Sequence, residues 1–168
     1  AAASLPTVRG LVMIAATPRF VRAPDWPHAV EPSVFEQFAR SLEEDYDGTL
    51  GRFVALDTLG SEHGREELKS LNALLHSRGR PRPDALHAGL ELLESTDLRR
   101  SLPSLSVPSL WLAGRRDRLV NPAGMAAAAE RAPGSRFVEL PGAAHAPFLG
   151  HVEAVAAELL AFADNTGP

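Results

Sequence analysis

The sequence predicts an α/β fold, in which a parallel sheet is covered by helices and a four-helix cap is inserted between two strands. Three short apolar runs have the composition of strands that are buried on both faces, as the strands of parallel sheets are. Between the first and second runs lies a long stretch in which only helical spacing recurs. The second and third runs are each followed by a helical pattern, so the chain ends in the order strand, helix, strand, helix.

The three predicted strands are short and apolar; they are residues 10–16, 107–114 and 136–142. Between the second and third strands, Asn121 is typical of a helix N-cap and Pro122 of the first helical position. Pro133 and Gly134 predict the end of this helix. After the third strand, residues 151–164 have an amphipathic pattern typical of a helix that closes a domain.

The insertion contains four stripes of apolar residues at helical spacing, which predict four helices. The stripes are Val34, Phe35, Phe38 and Leu42; Leu50, Phe53, Val54 and Leu59; Leu68, Leu71, Leu74 and Leu75; and Leu86, Leu90 and Leu93. Turn residues at Asp47-Gly48, at Gly60-Ser61 and in 79–83 predict the breaks. This insertion exceeds what neighbouring strands need as a connection, so we expect a lid over a site. The predicted segments are a core strand at 1–17, a helical cap at 18–100 and a second core part at 101–168.

Composition and charge argue against several classes of function. With 45% hydrophobic and 23% charged residues and a net charge of −4, the chain has no basic excess for binding nucleic acid. No apolar run has the length of a membrane span, so we expect no membrane partner. There are no cysteines, which fits a reducing compartment, and we expect a cytoplasmic protein. The histidines show no metal-ligand spacing, so we expect neither a metal nor a cofactor.

Two residues that could carry chemistry follow the second and third predicted strands. Asp117 comes just after the second strand and His145 just after the third. Because the carboxyl ends of parallel strands share one edge of the sheet, we expect the two side chains to meet. A carboxylate bonded to one ring nitrogen leaves the other free to act as a base, so we interpret the pair as catalytic. Taken singly, Asp117 could instead cap a turn, and His145 could be a loop residue without a catalytic role.

The tail of the sequence resembles the end of an α/β-hydrolase, in "VPSLWLAGRRDRLVNP", in "GAAHAPFLGH" and in the terminal helix. "DWP", "RFVALDTLGSE", "LHAGLELLESTDLR" and "AAHAPFLGH" are similar to the pimeloyl-acyl-carrier-protein methyl ester esterases of biotin synthesis. This resemblance covers essentially the whole chain. It implies a serine carboxylesterase without a cofactor, whose triad runs Ser, Asp, His along the chain.

The serine of such a triad is not found in these 168 residues, because no G-x-S-x-G motif occurs. The nearest segment, "GSEHG" at 60–64, has glutamate at the serine position, and Ser61 is more simply explained as a helix N-cap. The first strand is apolar along its length and expects two neighbours, whereas the sequence supplies one. We therefore expect the carboxyl-terminal two-thirds of a hydrolase, inactive alone, whose nucleophile lies on a missing N-terminal segment.

The resemblance also implies a substrate and a partner. Arg52, Arg65 and Lys69 match basic positions that contact an acidic acyl carrier protein, while Phe38 and Phe53 match aromatic positions of the acyl channel. One expected basic position is Gly48 here, so we expect carrier docking to differ in strength or geometry. Alternatively, the basic residues belong to a solvated helix face and the phenylalanines to the core of the cap. The acids that could then pair with the basic residues are Asp57, Glu62, Glu66 and Glu67.

Two other functions remain open from the sequence. One is a different α/β-hydrolase, such as a C–C bond hydrolase, a lactonase or a short-chain esterase, with a nucleophile that these residues do not contain. An aspartate nucleophile would indicate a dehalogenase or an epoxide hydrolase. The other is a non-catalytic fragment that binds an acidic acyl carrier, which predicts binding that weakens with salt and no ester turnover.

Overall fold

The computed structural model describes residues 7–166, without the side chains of residues 76 and 78. The outer ends of the first and last predicted segments, residues 1–6 and 167–168, lie outside the described residues. The elements are, in chain order, β1 (Leu11–Ile14), α1 (Pro32–Glu44), α2 (Tyr46–Thr58), α3 (Gly64–Arg78), α4 (Pro83–Ser95), a 3-10 helix (Arg99–Ser104), β2 (Ser109–Gly114), α5 (Pro122–Ala129), β3 (Ser135–Leu140), α6 (Pro147–Gly150) and α7 (Val152–Thr166).

The described strands form one parallel sheet in the order β1-β2-β3. The register pairs Ile14 with Leu112, and Gly114 with Leu140, so the carboxyl ends of β2 and β3 lie at one edge. Helices cover both faces of this sheet. The loops that follow β2 and β3 therefore emerge side by side.

The strand β2 lies in the centre of the core and is buried along its whole length. Trp111 and Ala113 pack on one side with Met125 of α5, and Leu110 and Leu112 pack on the other, next to α7. β1 and β3 are only partly buried, although the sequence predicted burial on both faces for all three strands. The reason is that each of them pairs with one neighbour in the described sheet.

The helices of the tail follow the sequence prediction closely. The Asn121 side chain accepts a hydrogen bond from the Ala123 N–H at 2.9 Å, so the N-cap of α5 is confirmed. On α7 Val155 is buried against the sheet, whereas Leu160 is exposed, although both belong to the predicted apolar stripe. The four-residue helix α6 was not predicted.

The four helices predicted in the insertion are α1 to α4, and they lie between β1 and β2 along the chain. The predicted break at Asp47-Gly48 is wrong, because α2 already begins at Tyr46. Its N-cap is Asp45, whose side chain accepts the Gly48 N–H at 3.0 Å. Whether this insertion forms a separate cap unit stays a prediction.

The assignment of Ser61 as a helix N-cap is also wrong, because the residue that caps α3 is His63. The Ser61 hydroxyl accepts the His63 N–H at 3.2 Å and donates to the Glu67 carboxyl at 2.7 Å. Ser61 therefore stabilises the turn before α3 and ties it to a buried glutamate.

In the described part of the chain, no helix combines the length and the apolar composition that crossing a membrane requires.

Candidate active site

The two loops that follow β2 and β3 are locked together by backbone contacts. Gly114, at the end of β2, has no side chain, and a Cβ there would overlap the Ala144 carbonyl oxygen. The Arg116 N–H donates to the Ala143 carbonyl at 2.9 Å. This close approach requires glycine at 114 and brings the Asp117 loop against the His145 loop.

Asp117 and His145 form a hydrogen-bonded pair, with 2.9 Å between the carboxylate Oδ2 and the ring Nδ1. The other carboxylate oxygen accepts the N–H groups of Leu119 at 2.8 Å and Val120 at 2.9 Å. The Asp117 side chain is 0% exposed and the His145 side chain 23% exposed. Asp117 is thus both the turn-capping residue and the partner of the imidazole, and it orients the ring so that Nε2 is left for chemistry.

The surroundings of His145 favour its protonated form. Burial by itself lowers the pKa of the imidazole, but the hydrogen bond that the ring donates to Asp117 and the charges of Asp117 and Asp57 raise it, and the net direction is upward. A ring whose cationic form is stabilised by a fixed carboxylate is suited to accept a proton during a reaction and then return it.

An apolar cavity of about 680 Å³ opens beside His145, between the helices α1, α2 and α4 and the carboxyl end of β1. Phe38 and Phe53 line it, with their ring centroids 5.2 Å apart. Ala15, which follows β1, also lines the cavity and has a left-handed backbone with φ of 48°. Such strain outside glycine is found most often near functional sites. The volume lies within the range typical of small-molecule sites, so the arrangement can hold an apolar group against the imidazole.

In the part of the chain that the structure describes, no three His, Asp or Glu side chains lie close enough together to hold a metal ion.

Comparison with known proteins gives close relatives that share one name. No protein-family model matches the chain. Over all 168 residues it is 61% identical to a pimeloyl-[acyl-carrier protein] methyl ester esterase of Stenotrophomonas maltophilia, of which it covers 65%. A protein of the same name from Xanthomonas oryzae pv. oryzae is 60% identical over 162 residues, which are 96% of this chain and 64% of the relative. The chain therefore spans about two thirds of the length of these curated relatives.

Solved structures share the fold at low sequence identity. An esterase of Exiguobacterium antarcticum superposes with a TM-score of 0.81 at 19% identity, over 91% of this chain and 56% of that protein. An enol-lactonase of Burkholderia xenovorans superposes with a TM-score of 0.78 at 20% identity, over 96% and 58%. The chain therefore has the fold of the α/β-hydrolases. The fold class predicted from the sequence and the resemblance to this family are both confirmed.

In this α/β-hydrolase fold, the predicted site residues fall into two groups. Asp117, His145, Phe38 and Phe53 come together at the cavity, although their roles in catalysis and substrate binding stay predictions. Arg52, Arg65 and Lys69 lie on the helices α2 and α3 with exposed side chains.

The three basic residues are not paired with the acids that the sequence suggested for a solvated face. Asp57 and Glu67 are buried, and Glu62 pairs with Arg116 at 3.5 Å. The Arg52 side chain is 67% exposed, and its nearest acid is Asp45 at 3.8 Å. Most of the positive charge on this face of α2 and α3 is therefore available to a partner.

The structure also gives a physical reason for Gly48, where the resemblance expects a basic residue. The Asp45 carboxylate folds over the first turn of α2 and occupies the space that a Cβ at 48 would take. A longer side chain at this position would have to displace the N-cap of the helix.

Sequence reasoning missed one residue of the site, Asp57. The sequence suggested it only as a possible partner for basic residues, whereas its backbone carbonyl accepts the His145 N–H at 3.0 Å. Its carboxyl is buried, and burial together with the charge of Asp117 raises its pKa to about 6, against the opposing charge of His145. No local pattern marks this residue, because its contact with His145 joins positions far apart in the chain.

Proposed function

We propose that this chain supplies the acid and the base of a serine carboxylesterase that hydrolyses the methyl ester of a pimeloyl-acyl carrier protein. The observation that carries the proposal is the Asp117–His145 pair, which lies beside an apolar cavity lined by the helices α1, α2 and α4. The substrate is supported by the shared name of relatives that are 60–61% identical over 96–100% of this chain.

In the proposed reaction, the nucleophile is a serine on the part of the protein that the relatives have and this chain does not span. His145 Nε2 accepts the serine proton while the serine oxygen attacks the ester carbonyl. Asp117 holds the ring and stabilises the imidazolium that forms. The imidazolium then protonates the departing methoxide, which leaves as methanol, and an acyl-enzyme remains.

The second half of the proposed reaction returns the enzyme to its starting state. His145 accepts a proton from a water molecule as the water oxygen attacks the acyl-enzyme. The proton passes back to the serine oxygen when the acyl–serine bond breaks, and a free carboxylic acid is released, which then ionises in water. No cofactor is required for either half. On this proposal the 168-residue chain alone does not turn over ester.

The cavity and the basic surface are consistent with this substrate. The side chains that line the cavity, including Phe38 and Phe53, are almost all apolar, which suits the methylene chain of an acyl group. The exposed side chains of Arg52, Arg65 and Lys69 suit an acidic carrier that presents this chain. A cytoplasmic location is part of the same proposal.

The decisive experiment uses the full-length product of the gene with a pimeloyl methyl ester substrate. His145→Ala is expected to lower kcat by on the order of 10⁶-fold because it removes the base, and Asp117→Asn by on the order of 10⁴-fold because it removes the orientation of the ring. His87→Ala is the matched control, since His87 is an exposed histidine on α4 that pairs with Glu43.

A fluorophosphonate probe, read by intact mass, identifies the nucleophile in the same preparation. A serine adduct on the full-length protein is expected, together with no adduct on the 168-residue chain alone. Near-normal turnover in His145→Ala would overturn the assignment of the base. An aspartate nucleophile would indicate a dehalogenase or an epoxide hydrolase instead of an esterase. Ester turnover by the 168-residue chain alone would refute the proposal that the nucleophile lies outside this chain.

A further inference from the structure

Asp57 is a buried acid at the site that the proposed triad does not use. It lies in the last turn of α2, its residue is 8% exposed, and one of its carboxyl oxygens has no hydrogen-bond partner among the described residues. A buried carboxyl without a full set of hydrogen-bond partners lowers the stability of the fold, so its presence beside the base requires a physical explanation.

We propose that Asp57 is a positioning residue for His145. The backbone carbonyl of Asp57 holds the backbone of His145 in place, and the buried carboxylate of Asp57 stabilises the protonated imidazole. The inference rests on the proposed role of His145 as the base. It adds a second carboxylate to the Asp117–His145 pair.

The backbone part of the proposal follows from the position of Asp57 near the end of a helix. Carbonyl groups in the last turn of a helix have no intrahelical donor and need a partner from elsewhere. The Asp57 carbonyl takes the His145 N–H at 3.0 Å, so α2 fixes the backbone on which the imidazole is carried. The carboxyl end of a helix also carries a partial negative charge, which favours a nearby imidazolium.

The side-chain part of the proposal follows from the charges around Asp57. The groups that act on its carboxyl are His145 and Asp117, which belong to the loops after β3 and β2. Of the other acids near this end of α2, Glu62 pairs with Arg116, and Glu67 accepts the Ser61 hydroxyl. His145 is the positively charged group whose charge acts on the Asp57 carboxyl.

The electrostatic coupling of Asp57 and His145 acts in both directions. The charge of His145 lowers the pKa of Asp57, and the charge of Asp57 raises the pKa of His145. Because burial raises the pKa of Asp57 to about 6, its negative charge develops as the pH rises through this value. Asp57 therefore supports the imidazolium at neutral pH and loses this effect in acid.

The test replaces the carboxylate with a neutral group of the same shape in the full-length product of the gene. Asp57→Asn keeps the backbone carbonyl and removes the charge, so the pKa of His145, read by NMR titration of its ring, should fall by roughly half a unit to one unit. Asp47→Asn is the matched control, since Asp47 lies exposed on the same helix and pairs with Arg80. This titration needs no turnover, so it can fail or succeed independently of the esterase proposal.

Activity gives a second readout. In Asp57→Asn the acid limb of the pH profile of kcat/KM should move to lower pH, and kcat should fall by roughly three- to tenfold. KM should stay close to the wild-type value, because Asp57 does not line the described cavity. Asp57→Glu should restore part of the His145 pKa.

Several results would overturn the proposal. One is an unchanged His145 pKa in Asp57→Asn, and another is an equal change in Asp47→Asn. A third is a rise in KM with kcat unchanged, which would indicate a packing role only. If Asp57→Asn does not fold, Asp57→Ser serves as the second neutral variant, and the same pKa comparison decides.

Discussion

At the scale of single residues, Asp117 shows that two interpretations of one side chain can hold together. It caps the turn after β2 by accepting two backbone N–H groups, and it binds His145 with its other oxygen. The turn bonds hold the carboxylate in place through its own loop, without a contribution from the histidine. The orientation of the imidazole is therefore determined by the loop that carries the acid.

Asp57 should make the stability of the protein depend on pH. Its pKa of about 6 in the folded state exceeds the ordinary value of 3.8, so the folded protein retains a proton that the unfolded chain releases. The free energy of unfolding should thus fall as the pH rises between these two values, by about 3 kcal/mol at most.

Urea unfolding of full-length wild type and Asp57→Asn across this pH range measures the effect. The variant should be the more stable protein at about pH 7, and its advantage should shrink as the pH falls and disappear well below the ordinary pKa of 3.8, where Asp57 is protonated in both states. A difference between the two proteins that does not vary with pH would contradict the assigned titration.

At the scale of elements, the helix α2 lies next to the cavity, next to His145 and next to the solvent. Phe53 and Asp57 are four residues apart and share one face, towards the cavity and His145, while Arg52 lies next to Phe53 and turns outward. One helix thus presents an apolar wall, a carboxyl group and a basic residue. A change in its position would move all three together.

The side chains of α2 that line the cavity should determine the affinity for the acyl chain. Phe53→Ala enlarges the cavity and removes the ring contact with Phe38, so KM for a pimeloyl ester should rise by roughly tenfold while kcat changes little. The measurement is steady-state kinetics on esters of increasing chain length. Leu59→Ala is the control, because Leu59 is exposed at the end of the same helix and does not line the described cavity. Equal effects of both variants would contradict a role for Phe53 in the site.

The sequence predicted elements well where a local pattern determines them. Short apolar runs identified the three strands, helical spacing of apolar residues identified the four helices of the insertion, and Asn121 with Pro122 identified the start of α5. The sequence placed the break before α2 at Asp47-Gly48, because these two residues are a common turn pair. The helix begins earlier, since Asp45 is the residue that caps it. The burial of β1 and β3 was overestimated because apolar composition does not reveal how many neighbours a strand has.

The candidate site was also predicted only where the sequence carries a signal. Asp117 and His145 were predicted to meet because topology places the ends of β2 and β3 together. Asp57 was not predicted, because its contact joins the end of a cap helix to a core loop and leaves no periodic signal.

At the scale of the whole molecule, the basic side chains of α2 and α3 should act on the carrier and leave the chemistry unchanged. Arg65 and Lys69 are one helical turn apart and share an exposed face. The variants Arg65→Ala and Lys69→Ala of the full-length protein should raise KM several-fold for a carrier-bound ester and leave it unchanged for a small methyl ester.

Salt separates this effect from a general loss of structure. The effect of each variant should shrink as ionic strength rises, because added salt screens charges that are exposed. Arg82→Ala is the control, since Arg82 is an exposed arginine that pairs with Asp84. Carrier kinetics that are insensitive to both salt and these variants would remove the basic surface from the proposal.

The carboxyl end of α2 is fastened to the core at three points. These are the Asp57 carbonyl with the His145 N–H, the Gly60 carbonyl with the Arg116 side chain at 2.8 Å, and the Glu62 N–H with the Gly142 carbonyl at 3.0 Å. Exposed apolar side chains at the rim of the cavity lie instead on other helices, as Val34 does on α1 and Leu92 on α4. The rim can therefore evolve, or be engineered, to admit other acyl chains while the anchored end preserves the alignment of the imidazole.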